Sequence, residues 1–275
     1  MSETKKEKSP ETFHRYLDEM GDTTFFGKGR KLIVGDQGVS LSFGIGILKI
    51  NRPIQDVRKE VAQLQADIQD DPLFNTLPSV VKRVESGGFY FHACKDTPDV
   101  RSPFLKYIRS LPCELEAVVA RKIPPLFEKQ HHAKENEFYA DLLSHLIKRR
   151  VKRSGKLVLN IAARGSSTRD KILTEALSIA NERALKKWSK EDLKSHVVFN
   201  VQTPRTEPLL NIADYLCWAV QRVFEKGETR YYDYLQQRIR LVVDLYDSAN
   251  YEGYKNWYDK KNPLTSKNKL SPPIT

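Results

Sequence analysis

The chain is poor in sulfur, with three cysteines and two methionines among 275 residues. Cys94, Cys113 and Cys217 are too far apart to suggest a disulfide framework or a zinc site. They are expected to be reduced thiols in the core of a cytoplasmic protein. Long apolar runs are missing too. Nothing approaches the ~18 residues that a membrane helix requires, so no membrane partner is expected. The opening Met1–Lys8 is polar, with no apolar stretch behind it, and is not expected to be a secretory signal. Gly27, Gly29, Gly35 and Gly38 cluster, yet match none of the phosphate-loop spacings. Acid is scarce relative to base. Thirty-five acidic residues stand against 46 basic ones, a net charge of +11. Such an excess favours a polyanionic partner, nucleic acid first, although basic charge also serves solubility alone.

The basic residues are clustered. Lys148, Arg149, Arg150, Lys152 and Arg153 fall within six positions. Lys255, Lys260, Lys261, Lys267 and Lys269 form a second basic zone, interleaved with Tyr251, Tyr254, Trp257 and Tyr258. Aromatics among lysines can stack on single-stranded bases, or can dock the tail onto the domain. Residues 1–11 read as a disordered tail and 248–275 as a basic, aromatic tail that is disordered from Pro263.

Between the tails, hydrophobic patterning predicts alternating elements. Strands are expected at 12–18, 39–48, 89–93, 115–122, 156–163 and 196–201. Helices are expected at 53–70, with Val57, Val61, Leu64 and Ile68 at helical spacing, and at 73–84, 103–111, 134–150, 169–187, 208–224 and 228–247. Pro124 and Pro125 read as a loop. Two antiparallel strands followed by crossover units imply an α/β fold with a mixed sheet.

Phe13–Thr23 carries the chemistry. It predicts a strand running into a turn with three acids, Asp18, Glu19 and Asp22, with Gly21 making the bend. Clustered carboxylates repel and lose water on folding, which a divalent cation would offset. Strict alternation would set Asp18 and Glu19 on opposite faces. Asp214 is a lone charge among Leu210, Ala213, Cys217 and Trp218 on one helix face. A buried carboxylate needs a cation or an arginine there. Glu137 precedes Asp141, His145 and Arg149 at four-residue intervals, a pattern that also suits surface ion pairs. His92 and Asp96 end the strand expected at 89–93; a satisfied structural role suits His92 better.

Tyr16-Leu17-Asp18-Glu19-Met20-Gly21-Asp22 resembles the opening strand of the domain-of-unknown-function 3800 family. Phe89–Asp96 and the helix segment Pro208–Tyr215 are similar to later stretches of that family. The resemblance spans roughly residues 12–245, with Met20 where the family has serine. It implies a single RNase H-like domain over 12–247: a mixed central sheet flanked by helices, with 52–88 as a helical insertion. It also implies a metal-dependent nuclease acting on RNA or DNA. Magnesium or manganese would be held by Asp18, Asp214 and Asp22, with Glu19 and Glu137 as further catalytic candidates. Arg164, Arg169 and Lys95, with the basic run at 148–153, would contact nucleic acid. Ala162 and Ala163 stand where related enzymes carry another acid, which leaves open a catalytically inactive module that binds nucleic acid, a protein partner or a second copy of itself.

Overall fold

The computed structural model describes residues 11–36, 38–147, 155–162, 174–176, 178–180, 182–183, 185–186 and 195–273. The predicted α/β class is what forms. Seven strands among the described residues build one sheet: β1 (Thr12–Gly21), β2 (Ser42–Ile50), β3 (Cys113–Arg121), β4 (Gly155–Ala162), β5 (Ser195–Gln202), β6 (Ile239–Asp244) and β7 (Trp257–Tyr258). Their order is β5-β4-β1-β2-β3-β6-β7. β1, β2 and β3 run antiparallel in sequence, with residues 22–41 between the first two and the helical stretch 51–112 between the second and third. β4 pairs parallel with β1, β5 with β4 and β6 with β3, while β7 returns antiparallel to β6. The sheet is RNase H-like, with two further strands beyond β3.

Helices cover both faces. Those with described bounds are α1 (Ile54–Asp70), α2 (Pro78–Glu85), α3 (Pro98–Ser110), α4 (Pro124–His131), α5 (Glu135–Ile147), α6 (Leu209–Lys226) and α7 (Arg230–Leu235). Period-two alternation divides each strand between two cores. Tyr16, Leu48, Leu115 and Val119 pack with Ala213, Leu216 and Val220 of α6. Leu17, Ile45, Ile47 and Leu159 pack on the other face with Phe138, Leu142 and Leu146 of α5. α1 and α2 occupy the 52–88 region, and Val57, Val61 and Val80 bury them in the α6-side core. Among the described residues no helix is long and apolar enough to cross a membrane.

The structure corrects several expectations. Residues 89–93 form no strand. The alternation is real, since Phe89, Phe91 and Ala93 are all buried. The backbone, however, bonds to side chains instead of a neighbouring strand: Tyr90 O accepts from Arg83, and Ala93 N–H donates to Asp214. The helix expected at 228–247 stops at Leu235, and β6 follows. Ile239, Leu241, Val242 and Val243 suit a pleated, half-buried surface better than a helix, and β3 offers an open edge. Pro124 and Pro125 open α4 instead of a loop, occupying the first helical positions where a missing N–H is harmless. Past Pro263 the chain is docked: Leu264 and Leu270 are buried in the α6-side core, and Leu270 N–H donates to Phe224 O at 2.7 Å. Cys113 and Cys217 are buried as expected, but Cys94 is exposed.

Candidate functional site

β1 extends to Gly21, so Asp18 and Glu19 lie within the strand and not in the turn. Tyr16, Asp18 and Met20 therefore face α6, and Glu19 faces the opposite side. The sheet beneath α6 is made of small residues at this point. Asp18 stands in register with Gly46, and Met20 with Gly44. A Cβ on Gly46 would lie 2.4 Å from Cys217 Sγ, and one on Gly44 would lie 2.7 Å from Met20 Cγ. The missing side chain at Gly46 thus lets α6 settle against β1 and β2, while the one at Gly44 makes room for Met20. The Cys217 thiol donates weakly to Asp18 O at 3.7 Å. Asp214, one turn earlier on the same helix face, is carried to the same region. Met20 is buried over Gly44 and adds packing there.

The segment after Gly88 closes one side. Ala93 N–H donates to Asp214 Oδ2 at 2.6 Å, and His92 Nδ1 stands 3.7 Å from that oxygen. Asp96 locks the segment down, accepting from the Tyr215 hydroxyl at 2.5 Å and from His92 N–H at 2.9 Å, and pairing with Arg83 at 2.5 Å. Burial pushes the Asp96 carboxyl up, against the pull of Arg83 and Tyr215. His92 and Asp96 thus approach the acids, with Asp96 as an anchor.

A cleft of about 1040 Å³ opens here. It lies at the carboxyl end of β1 and β4, where open α/β sheets commonly bind ligands. Asp18, Glu19, Asp22, Asp214 and Lys95 all line it, so the structure brings five of the expected residues together. Tyr90, Trp218, Arg222, Glu225 and Lys226 join them without having been expected. The sequence did hold a signal for three of these: Trp218, Arg222 and Glu225 follow Asp214 at three- and four-residue steps along one face of α6.

Two candidates are corrected. Asp22 is fully engaged in structure. Its Oδ1 accepts from Thr24 N–H at 2.9 Å and Lys122 Nζ at 2.7 Å, and its Oδ2 accepts from Ser40 N–H at 2.7 Å and Ser40 Oγ at 2.8 Å. Burial alone would raise its carboxyl; Lys122 and Ser40 outweigh that and hold it below the ordinary carboxylate range. Both of its oxygens are committed to N–H donors of Thr24, Lys122 and Ser40, which leaves it poorly suited as a metal ligand in this arrangement. Glu137 is not in the cleft. It sits on α5, across the sheet from α6, and pairs with His132 at 2.8 Å and Lys134 at 3.1 Å. Arg164, Arg169, Lys148, Arg149, Arg150, Lys152 and Arg153 lie outside the described residues. Glu225 is structural as well, accepting from Leu41 N–H, Ser42 N–H and Ser42 Oγ at 2.9, 2.9 and 2.6 Å.

Among the described residues, no three His, Cys, Asp or Glu side chains stand close enough together to form a metal cage. The cleft fits a lighter attachment. Magnesium keeps several waters and is commonly held by one or two carboxylates plus substrate phosphates. Asp18 and Asp214 suit that role, with Lys95 and Lys226 as cations at the rim. No protein-family model and no curated protein matches the chain.

Proposed function

We propose that the chain is a metal-dependent nuclease, a cytoplasmic phosphodiesterase acting on RNA or DNA, as the resemblance to the domain-of-unknown-function 3800 family implies. What carries this reading is the meeting of Asp18 and Asp214, 196 positions apart in sequence, in one cleft at the carboxyl end of the sheet. Asp18 and Asp214 would hold magnesium or manganese. The ion, when bound, supplies Lewis-acid polarisation of the scissile phosphate and a more acidic water. Asp214 is oriented for this by the Ala93 N–H. Lys95, which also lines the cleft, would neutralise a phosphate oxygen.

A second reading, a binding module without catalysis, is favoured by one observation. Asp22 and Glu137 are both committed elsewhere, leaving fewer carboxylates than a two-metal site uses. Calorimetry with Mg²⁺ and Mn²⁺ separates the two readings. It should be run with and without a phosphorothioate oligonucleotide, on the wild type and on an Asp18→Ala/Asp214→Ala variant. Metal uptake lost in the variant, together with cleavage of unmodified RNA or DNA, supports the nuclease. A wild type that takes up neither ion even with oligonucleotide present overturns it.

A further inference from the structure

β6 runs parallel to β3 and hence in the direction of β1, so its carboxyl end lies on the same edge of the sheet as the cleft. The chain leaves β6 at Asp244 and returns as β7, and the connection displays Tyr251 and Tyr254 at 69% and 70% exposure. Folding alone does not explain such exposure, because a tyrosine ring gains from burial. Tyr254 also holds φ at 58°, a left-handed conformation costly for a bulky residue. Its ring stands edge-on to Trp257, centroids 5.1 Å apart. A groove of about 710 Å³ runs beside them, lined also by Lys255 and Lys261. The acid in this groove, Asp259, is occupied by the main-chain N–H groups of Lys261 and Asn262 at 2.7 and 3.0 Å.

We propose that the turn between β6 and β7, with the residues just after β7, is a binding site for single-stranded nucleic acid, separate from the carboxylate cleft. An unpaired base stacks on Tyr254 and Trp257 while Lys255 and Lys261 meet the phosphates. Stacking tolerates any base, and the lysines follow the backbone, so the site grips strands with little sequence preference. Four inter-strand steps separate β1 from β7, roughly 19 Å at the usual spacing. One strand could therefore occupy the turn and the cleft together. The binding itself does not depend on cleft chemistry.

The test uses the full chain in EDTA, in the Asp18→Ala/Asp214→Ala background, so that neither metal nor cleavage contributes. Fluorescence anisotropy measures a labelled oligo(dT), an oligo(rU) and a duplex of equal length. Tyr254→Ala should weaken single-strand binding by about tenfold, within the range for losing one stacked base. Tyr254→Phe, which keeps the ring, should bind as the parent does. Lys255→Gln/Lys261→Gln should lower the salt dependence by about 1.4, two phosphates at ~0.7 each. Duplex binding should be insensitive to Tyr254→Ala. Equal binding by Tyr254→Ala and its parent overturns the proposal, as does an equal loss on duplex. Binding of a protein partner through this turn, with no oligonucleotide bound, also overturns it. An unchanged far-ultraviolet spectrum and melting curve confirm that the exposed substitutions leave the fold intact.

Discussion

Gly46→Ala tests whether close approach of α6 builds the candidate site. A strand glycine normally costs stability. Replacing it by alanine should gain about 0.5–1 kcal/mol from the smaller loss of backbone freedom. Here the added carbon would sit 2.4 Å from Cys217 Sγ and 3.0 Å from Leu115 Cδ1. Ordinary carbon contacts lie near 3.5–4.0 Å, so the helix must retreat by about 1 Å or its side chains must leave their rotamers. Overpacking of this kind costs about 1–3 kcal/mol. The net expectation is a loss of about 1–2 kcal/mol, a fall in Tm of several degrees at about 2–4 °C per kcal/mol. The clash names its partner, so Cys217→Ala should relieve it. The assay is urea and thermal unfolding of Gly46→Ala, Cys217→Ala and the double variant. The cycle should give a favourable coupling of about 1 kcal/mol. A Gly46→Ala protein as stable as wild type or more so, or a coupling near zero, would refute the claim that the glycine holds the helix close.

Lys122 has no exposed side-chain surface, and its ammonium meets Asp22 Oδ1 and Thr24 O. Lys122→Met should cost about 3 kcal/mol in urea unfolding, the low end for breaking a buried pair because Asp22 is partly exposed. Because the folded Asp22 carboxyl is held below its ordinary value, the pair's contribution should be present above about pH 4 and lost as pH falls through the folded pKa. Lys122→Met should flatten that acid limb. Asp244 behaves oppositely. Burial raises its carboxyl to about 6, against the pull of Arg121, while Asp247 pushes the same way as burial. A raised carboxyl favours the folded state at low pH, and that favour is lost as pH rises from about 4 to about 6. The difference in stability between wild type and Asp244→Asn, followed by thermal melts across that window, should shift against wild type by at most about 3 kcal/mol. A constant difference would refute the assignment.

How much of this was legible in the sequence depended on whether a local pattern decided the outcome. The 17-residue α1 shows its buried stripe at Val57, Val61 and Ile68, and periodicity finds such helices. Residues 89–93 misled because alternating burial occurs without a strand: the pattern reports which side chains are buried, not what the backbone bonds to. Residues 228–247 misled because Tyr231 and Leu235 continue into Ile239 and Val242 at helical spacing. Only the open edge of β3 turns the second half into a strand. In the site, Asp214 stood out as the lone acid on an apolar helix face, whereas Asp18 was one of three clustered acids. Asp22 could not be set apart, since Lys122 and Ser40, its partners, are 100 and 18 residues away.

The acids of the cleft therefore divide by what satisfies them, a distinction that composition cannot draw. Asp22 and Glu225 collect main-chain N–H donors and side-chain partners from the 22–42 region. Each such donor costs roughly 1–3 kcal/mol if left buried without an acceptor, so these carboxylates hold the shape of the cleft wall. Asp18 sits where β1 passes beneath α6, in register with a glycine, and Asp214 accepts from the Ala93 N–H. Asp18 is buried at 5% exposure on an apolar helix–sheet seam, where an ionised carboxylate is costly unless it is compensated. Under the proposed nuclease reading, a cation and the substrate phosphate would be its further partners in the cleft. That is why the cleft, and not the more richly bonded Asp22 turn, is the place to look for chemistry.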